Sequence, residues 1–186
     1  MITKNVALVG AGTAVIGGSV AGGVYYINSG DTIGITLSKE VKLLTSNSEE
    51  LWDLKLNTYN TERKSTNPIV LNKNDWTGLQ NWCTSTLNKK FSTKDKEYEN
   101  AKILCSVPSN KEKLKKLNKT LTGITWKEKE TSYRSASDNL ISTINKATAT
   151  EQQIQNWCNN AINEEYESDN KNNYSLTLKW CTKEGA

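Results

Sequence analysis

Three kinds of residue in this chain could do chemistry: four cysteines, some neighbouring carboxylates and a glycine-rich turn. Histidine is missing from the sequence, which removes the commonest general base, the usual pH switch and the most frequent metal ligand. That counts against most nucleophile–histidine mechanisms, although carboxylates can still do acid–base work. The candidate carboxylates are Glu49 and Glu50, and then Glu164, Glu165 and Glu167. They are neighbours in polar, helix-like stretches, expected as solvated faces and not as an acid–base pair held across a pocket. The cysteines show no Cys-x-x-Cys spacing, so zinc is not expected. No catalytic, cofactor-binding or metal-ligating residue is assigned, and the chain reads as a non-enzyme without a cofactor.

The glycine turn has two readings. "VALVGAG" at 6–12 is an apolar run into Gly10 and Gly12, with Asp31 beyond it, the outline of a dinucleotide-binding fingerprint. The third glycine position holds Val15, and Gly17, Gly18, Gly22 and Gly23 crowd the would-be helix, each costing up to about 1 kcal/mol in water. No strand–helix alternation follows to build a parallel sheet. The membrane reading fits better. Val6 to Ile27 are 22 consecutive uncharged residues, roughly 33 Å as a helix, enough to cross a hydrocarbon core. Tyr25 and Tyr26 stand at its far end, where amphipathic rings favour the interface.

Gly10, Ala14, Gly18 and Gly22 form one small-residue stripe on that helix, a surface through which two copies can approach and dimerise. Lys4 precedes the span and Asp31 follows it, so the bias places the C-terminal part outside. A cleaved signal peptide is the rival, with Ser19-Val20-Ala21 as small residues for cleavage. Either way residues 31–186 leave the cytoplasm.

Those residues contain an internal repeat. "WDLKLNTY" at 52–59 answers "WKEKETSY" at 126–133, "LQNWC" at 79–83 answers "IQNWC" at 154–158, and Tyr98 and Cys105 answer Tyr174 and Cys181. The chain therefore divides into an anchor or signal segment at 1–30, a first helical unit at 31–108 and a second at 109–186. The second begins with a linker helix at 109–121, sketched by Leu114, Leu117 and Leu121. The fold class is mainly α: a transmembrane helix followed by two duplicated small helical units.

In each unit Trp52, Tyr59 and Trp82, or Trp126, Tyr133 and Trp157, supply the structural aromatics, with Leu140 and Ile144 extending the second copy's first helix. Thr150 and Gln153 make a capping box. The last element, "YSLTLKWC" at 174–181, alternates Leu176, Leu178 and Trp180 and is read as a possible short strand. Cys83–Cys105 and Cys158–Cys181 are the expected bridges, because the duplication selects one of three pairings.

The net charge of +4 is concentrated in one run, where Lys111, Lys113, Lys115, Lys116 and Lys119 face only Glu112. Without interleaved arginine and aromatics this is a solvated linker helix and not a nucleic-acid footprint.

The W-x6-Y spacing, the "WC" late in a helix and "YENAKILCSVP" at 98–108 resemble the paralogous families of short surface proteins of haemotropic mycoplasmas, wall-less bacteria of red blood cells. The resemblance covers nearly the whole chain, and it departs from the family's pattern at Leu104, where an aromatic is usual. It implies membrane anchorage, an extracellular C-terminal region, and a variable antigen or host-interaction module whose partners are the bilayer, the host-cell surface or antibody. A membrane-organising protein that self-associates through the glycine stripe is the alternative.

Overall fold

Residue-level caps divide the chain into short helices in the computed structural model, which describes residues 31–171 and 173–185. The expected anchor, with Gly10, Ala14, Gly18 and Gly22, lies outside the described residues. Among the described residues, no helix is long and apolar enough to cross a membrane.

Eight α-helices are described, with three isolated bridges and no strand. Thr32 caps α1 (Ile33–Leu37), accepting from the Ile35 amide at 3.2 Å. Helix α2 (Glu49–Thr58) begins with two acids at its positive end and runs on into a π-helical turn, Tyr59–Arg63. Asp75 caps α3 (Trp76–Leu87) through the Gly78 amide at 2.8 Å. A Cβ on Gly78 would lie 1.9 Å from the Lys73 carbonyl oxygen, so the close approach of loop and helix requires glycine there. Asp95 caps α4 (Lys96–Leu104) through the Tyr98 amide at 2.9 Å.

Ser109 and Glu112 form a capping box on α5 (Asn110–Lys116). Helix α6 (Trp126–Ser135) leads through a 3₁₀ turn, Lys146–Thr148, to α7 (Glu151–Ala161). Thr150 and Gln153 cap α7 with the box expected of them. Helix α8 (Tyr174–Trp180) closes the fold.

Three expectations need correction. The "YSLTLKWC" stretch is helix α8 and not a strand. Its leucines serve different neighbours: Leu178 packs on a cluster formed mainly by the first half, and Leu176 on one formed by the second. Helix α6 stops at Ser135, so Leu140 and Ile144 lie in the loop beyond it. The linker helix ends at Lys116 and is not a solvated spacer: Leu114 is fully buried, whereas Leu117 is 47% exposed.

The two apolar clusters differ in size. The first draws on α1 to α5 and also takes in Tyr166 and Tyr174 from beyond α7. The second is formed by Tyr133, Ile141, Ile144, Ala149, Ile154, Trp180 and the Cys158–Cys181 pair. Disulfides join Cys83 to Cys105 and Cys158 to Cys181, with Cα separations of 5.5 and 5.3 Å. Each runs from the body of one helix to the C-cap of the next, α3 to α4 and α7 to α8.

Candidate functional site

The residues singled out by type and spacing occupy three settings: buried crosslinks, aromatic pins and paired charges. All four cysteines are buried and disulfide-bonded, and no described cysteine is free. The sulfurs are therefore structural and take no part in thiol chemistry.

The aromatic residues work through their polar ends. Trp52 is buried and donates its indole N–H to the Ser46 carbonyl at 2.8 Å. The Tyr59 hydroxyl donates to the Ile69 carbonyl at 3.1 Å and receives the Ile69 amide at 3.3 Å. Tyr133 does the same for the loop after α6, receiving the Ile141 amide at 2.9 Å beside the Ile141 and Ile144 carbonyls. Trp82, Trp126 and Trp157 are half-buried.

Sequence reasoning did not single out Trp180, the largest fully buried side chain. It lies edge-on to Tyr133 at 4.9 Å between centroids and donates to the Asn139 carbonyl at 2.7 Å. Its place just before Cys181 in a segment that alternates leucines concealed it.

Of the candidate carboxylates, Glu50, Glu165 and Glu167 pair with lysines. Glu50 pairs with Lys113 at 2.5 Å and accepts from the Tyr166 hydroxyl at 2.8 Å, and these contacts hold its carboxyl below the usual carboxylate range. Asp169 accepts from the same hydroxyl at 2.7 Å. Burial, with the two carboxylates beside it, pushes the Tyr166 phenol upward. Lys113 also stands over the Tyr166 ring at 4.9 Å.

Glu164, Glu165 and Glu167 are not in a helix, since α7 ends at Ala161. Lys42 reaches Glu165 at 2.6 Å and Glu167 at 3.6 Å, and Glu164 accepts from Asn173 at 3.1 Å. The lysine run is anchored likewise: Lys115 pairs with Glu62, and Lys116 with Asp53.

One ion pair is interior. Lys55, with 3% of its side chain exposed, reaches both oxygens of Glu112 at 2.9 and 3.0 Å. It also donates to the Ile103 carbonyl at 3.0 Å. Burial pulls its ammonium below the usual lysine value against the pull of Glu112. Glu112 in turn accepts from Thr58 and from the Ser109 amide, so one carboxylate both caps α5 and neutralises a lysine of α2.

A groove of about 520 Å³ is lined by Asn67, Ile69, Val70, Trp82, Lys96 and Asn100 among others. Its floor is polar: Arg63 and Asn67 both donate to the Asn100 side-chain oxygen at 3.1 Å. Lys89 and Glu97 on its wall pair with each other at 2.5 Å. No two carboxylates face each other across it. Among the described residues, no group of three or more metal-ligating side chains is gathered.

No family model, curated protein or solved structure matches the chain.

Proposed function

We propose that this is a membrane-anchored, non-enzymatic surface protein of a wall-less bacterium, in which two stapled helical units present a polar, changeable face to host molecules or antibodies. The observation that supports it most is the pair of buried disulfides. Such bonds persist in oxidising surroundings and are rare where thiols are kept reduced, which favours a folded part lying outside the cytoplasm. The run of 22 uncharged residues at 6–27 supplies the anchor in this reading.

The reading treats the two halves as copies of one unit. In support, a tyrosine in the turn after α2 and one in α6 each pin the loop that follows, and a disulfide ends each half at the C-cap of its last helix. A surface held by lysine–carboxylate pairs tolerates exchange, because such pairs contribute little individually while crosslinks and core fix the frame. The family resemblance supplies the antigenic or host-binding role.

Protease applied to intact cells is the test. Loss of residues 31–186 with retention of an N-terminal stub is the expected result, and survival of those residues would overturn the reading. Comparing non-reduced with reduced digests of the same protein should show both crosslinks.

A further inference from the structure

Where the chain enters the fold fixes which side of the fold meets the membrane. Asp31 lies four positions beyond Ile27, the last apolar residue of the N-terminal run. Four residues, however extended, span at most about 14 Å. A body of this length has a radius of gyration of about 15 Å, and headgroups occupy about 5–8 Å beyond the hydrocarbon on each side. The tether is too short for the body to swing clear of the bilayer, so the surface around Asp31 is held against it.

The structure defines that surface. The Phe91 amide donates to the Asp31 carbonyl at 2.8 Å, and the Ile33 amide to the Lys89 carbonyl at 2.9 Å. Residues 31–33 are thereby stitched to 89–91, the α3–α4 connection. That connection carries Lys89, Lys90 and Lys94. Its one acid, Asp95, is exposed and caps α4 through the Tyr98 amide.

Lys90 is exposed and has no side-chain partner among the described residues. Lys89 and Lys94 pair with Glu97 and Glu40, yet keep 50% and 57% of their side chains in solvent. Lys39 stands beside Asp31 at 4.0 Å, 65% exposed. Phe91 packs on Tyr98 at 5.4 Å between centroids and holds the loop to α4.

We infer that the face made by Asp31 and the α3–α4 connection lies on the headgroup layer of the chain's own membrane, with Lys89, Lys90 and Lys94 recognising anionic lipid headgroups. The inference rests on reading residues 6–27 as the membrane span and adds the orientation of the folded body. Lysines near an anionic surface gain affinity from its potential, and the gain fades within a Debye length. The same contact would withdraw this face from host molecules and leave the remaining surface for display.

The test uses the full chain in vesicles of phosphatidylcholine with phosphatidylglycerol, and in phosphatidylcholine alone. A membrane-impermeant acylating reagent is added, and labelling of Lys90 is read against that of Lys127 in the same molecules. Lys127 is the reference because its side chain is 72% exposed on α6. The expected result is a Lys90-to-Lys127 ratio about fivefold lower with the anionic lipid than without it. The same ratio in both lipids overturns the recognition of anionic headgroups, and protection of Lys127 in place of Lys90 overturns the orientation. Flotation of the same vesicles separates the two claims. Protein that floats and resists alkaline extraction but shows no protection defeats the orientation alone, whereas protein that does not float defeats the span and the orientation together.

Discussion

Tyr59 and Tyr133 show how much of this fold hangs on single polar atoms. Each hydroxyl satisfies a loop amide. Replacing Tyr133 with Phe leaves the buried Ile141 N–H without its partner, a loss of about 1–3 kcal/mol. Tyr59→Phe should cost less, because its contacts are longer and only part-buried. Urea unfolding of the two variants checks the order. The Trp-x6-Tyr spacing marked both tyrosines in the sequence, but the hydroxyl's partners lie 8 to 11 residues onward in irregular loops, and no periodicity reports them. Glu40 went unmarked for a similar reason. Lys102, Lys94 and the Tyr98 hydroxyl converge on it from α4 and the loop before it, and lower its carboxyl from 4.5 to about 2. A depressed carboxylate contributes stability above its unfolded value and loses it as pH falls through the folded one. The advantage of the wild type over Glu40→Gln is therefore expected to be full above 4.5 and to vanish by about 2. Denaturation midpoints of both proteins across that range measure it, and the amplitude should be small because the cluster is open to solvent.

Helices α5 and α8 were the least legible elements, for different physical reasons. The lysines of α5 resemble a solvated face in sequence because their acidic partners, Glu50, Asp53 and Glu62, lie on α2 and its π turn, more than fifty positions away. Only Leu114 betrays the buried side of the helix. In α8 the helical period is hidden because the helix lies between two apolar clusters. Tyr174 and Leu178 belong to one cluster and Leu176 and Trp180 to the other, while the fully buried position between them is a threonine, Thr177. By contrast α3, α4 and α7, each facing one core with a cap residue in front, follow from spacing alone. Docking of α5 yields a sharp expectation. Glu112→Ala removes the cap and leaves the Lys55 ammonium buried and uncompensated, a loss of about 3–5 kcal/mol. Changing Lys55→Met together with Glu112→Ala should recover most of that loss, because the uncompensated charge goes too while the cap residue is missing from both variants. If the double variant is as unstable as the single one in thermal unfolding, the cost lies in the cap and not in the stranded charge.

At the scale of the molecule the two halves meet along α5 and the segment after α7. The first amides of α5, on Asn110 and Lys111, would be orphans in an isolated helix; they donate to the Glu164 and Ile162 carbonyls at 2.9 and 2.8 Å. The Tyr166 amide returns a bond to the Pro108 carbonyl at 2.7 Å, and the Tyr166 ring packs in the first cluster edge-on to Tyr174. The second cluster is the weaker partner in this arrangement, with eight buried residues against seventeen among those described. Its crosslink closes a loop of nearly the same length as the other, 23 positions against 22, so the chain-entropy contribution is similar for both, about 3 kcal/mol. Equal contributions set on unequal cores have unequal effects. Replacing Cys158 and Cys181 with Ala should therefore open α6 to α8 locally while the first cluster stays closed. Replacing Cys83 and Cys105 should lower stability and leave a cooperative fold. Hydrogen exchange at Ile154 and Leu79, each fully buried in its own cluster, distinguishes the outcomes: fast exchange at Ile154 with slow exchange at Leu79 in the first variant. Equal acceleration at both sites would mean that the contacts through α5 and Tyr166 bind the halves into one cooperative unit, and that the smaller core draws its stability from the larger.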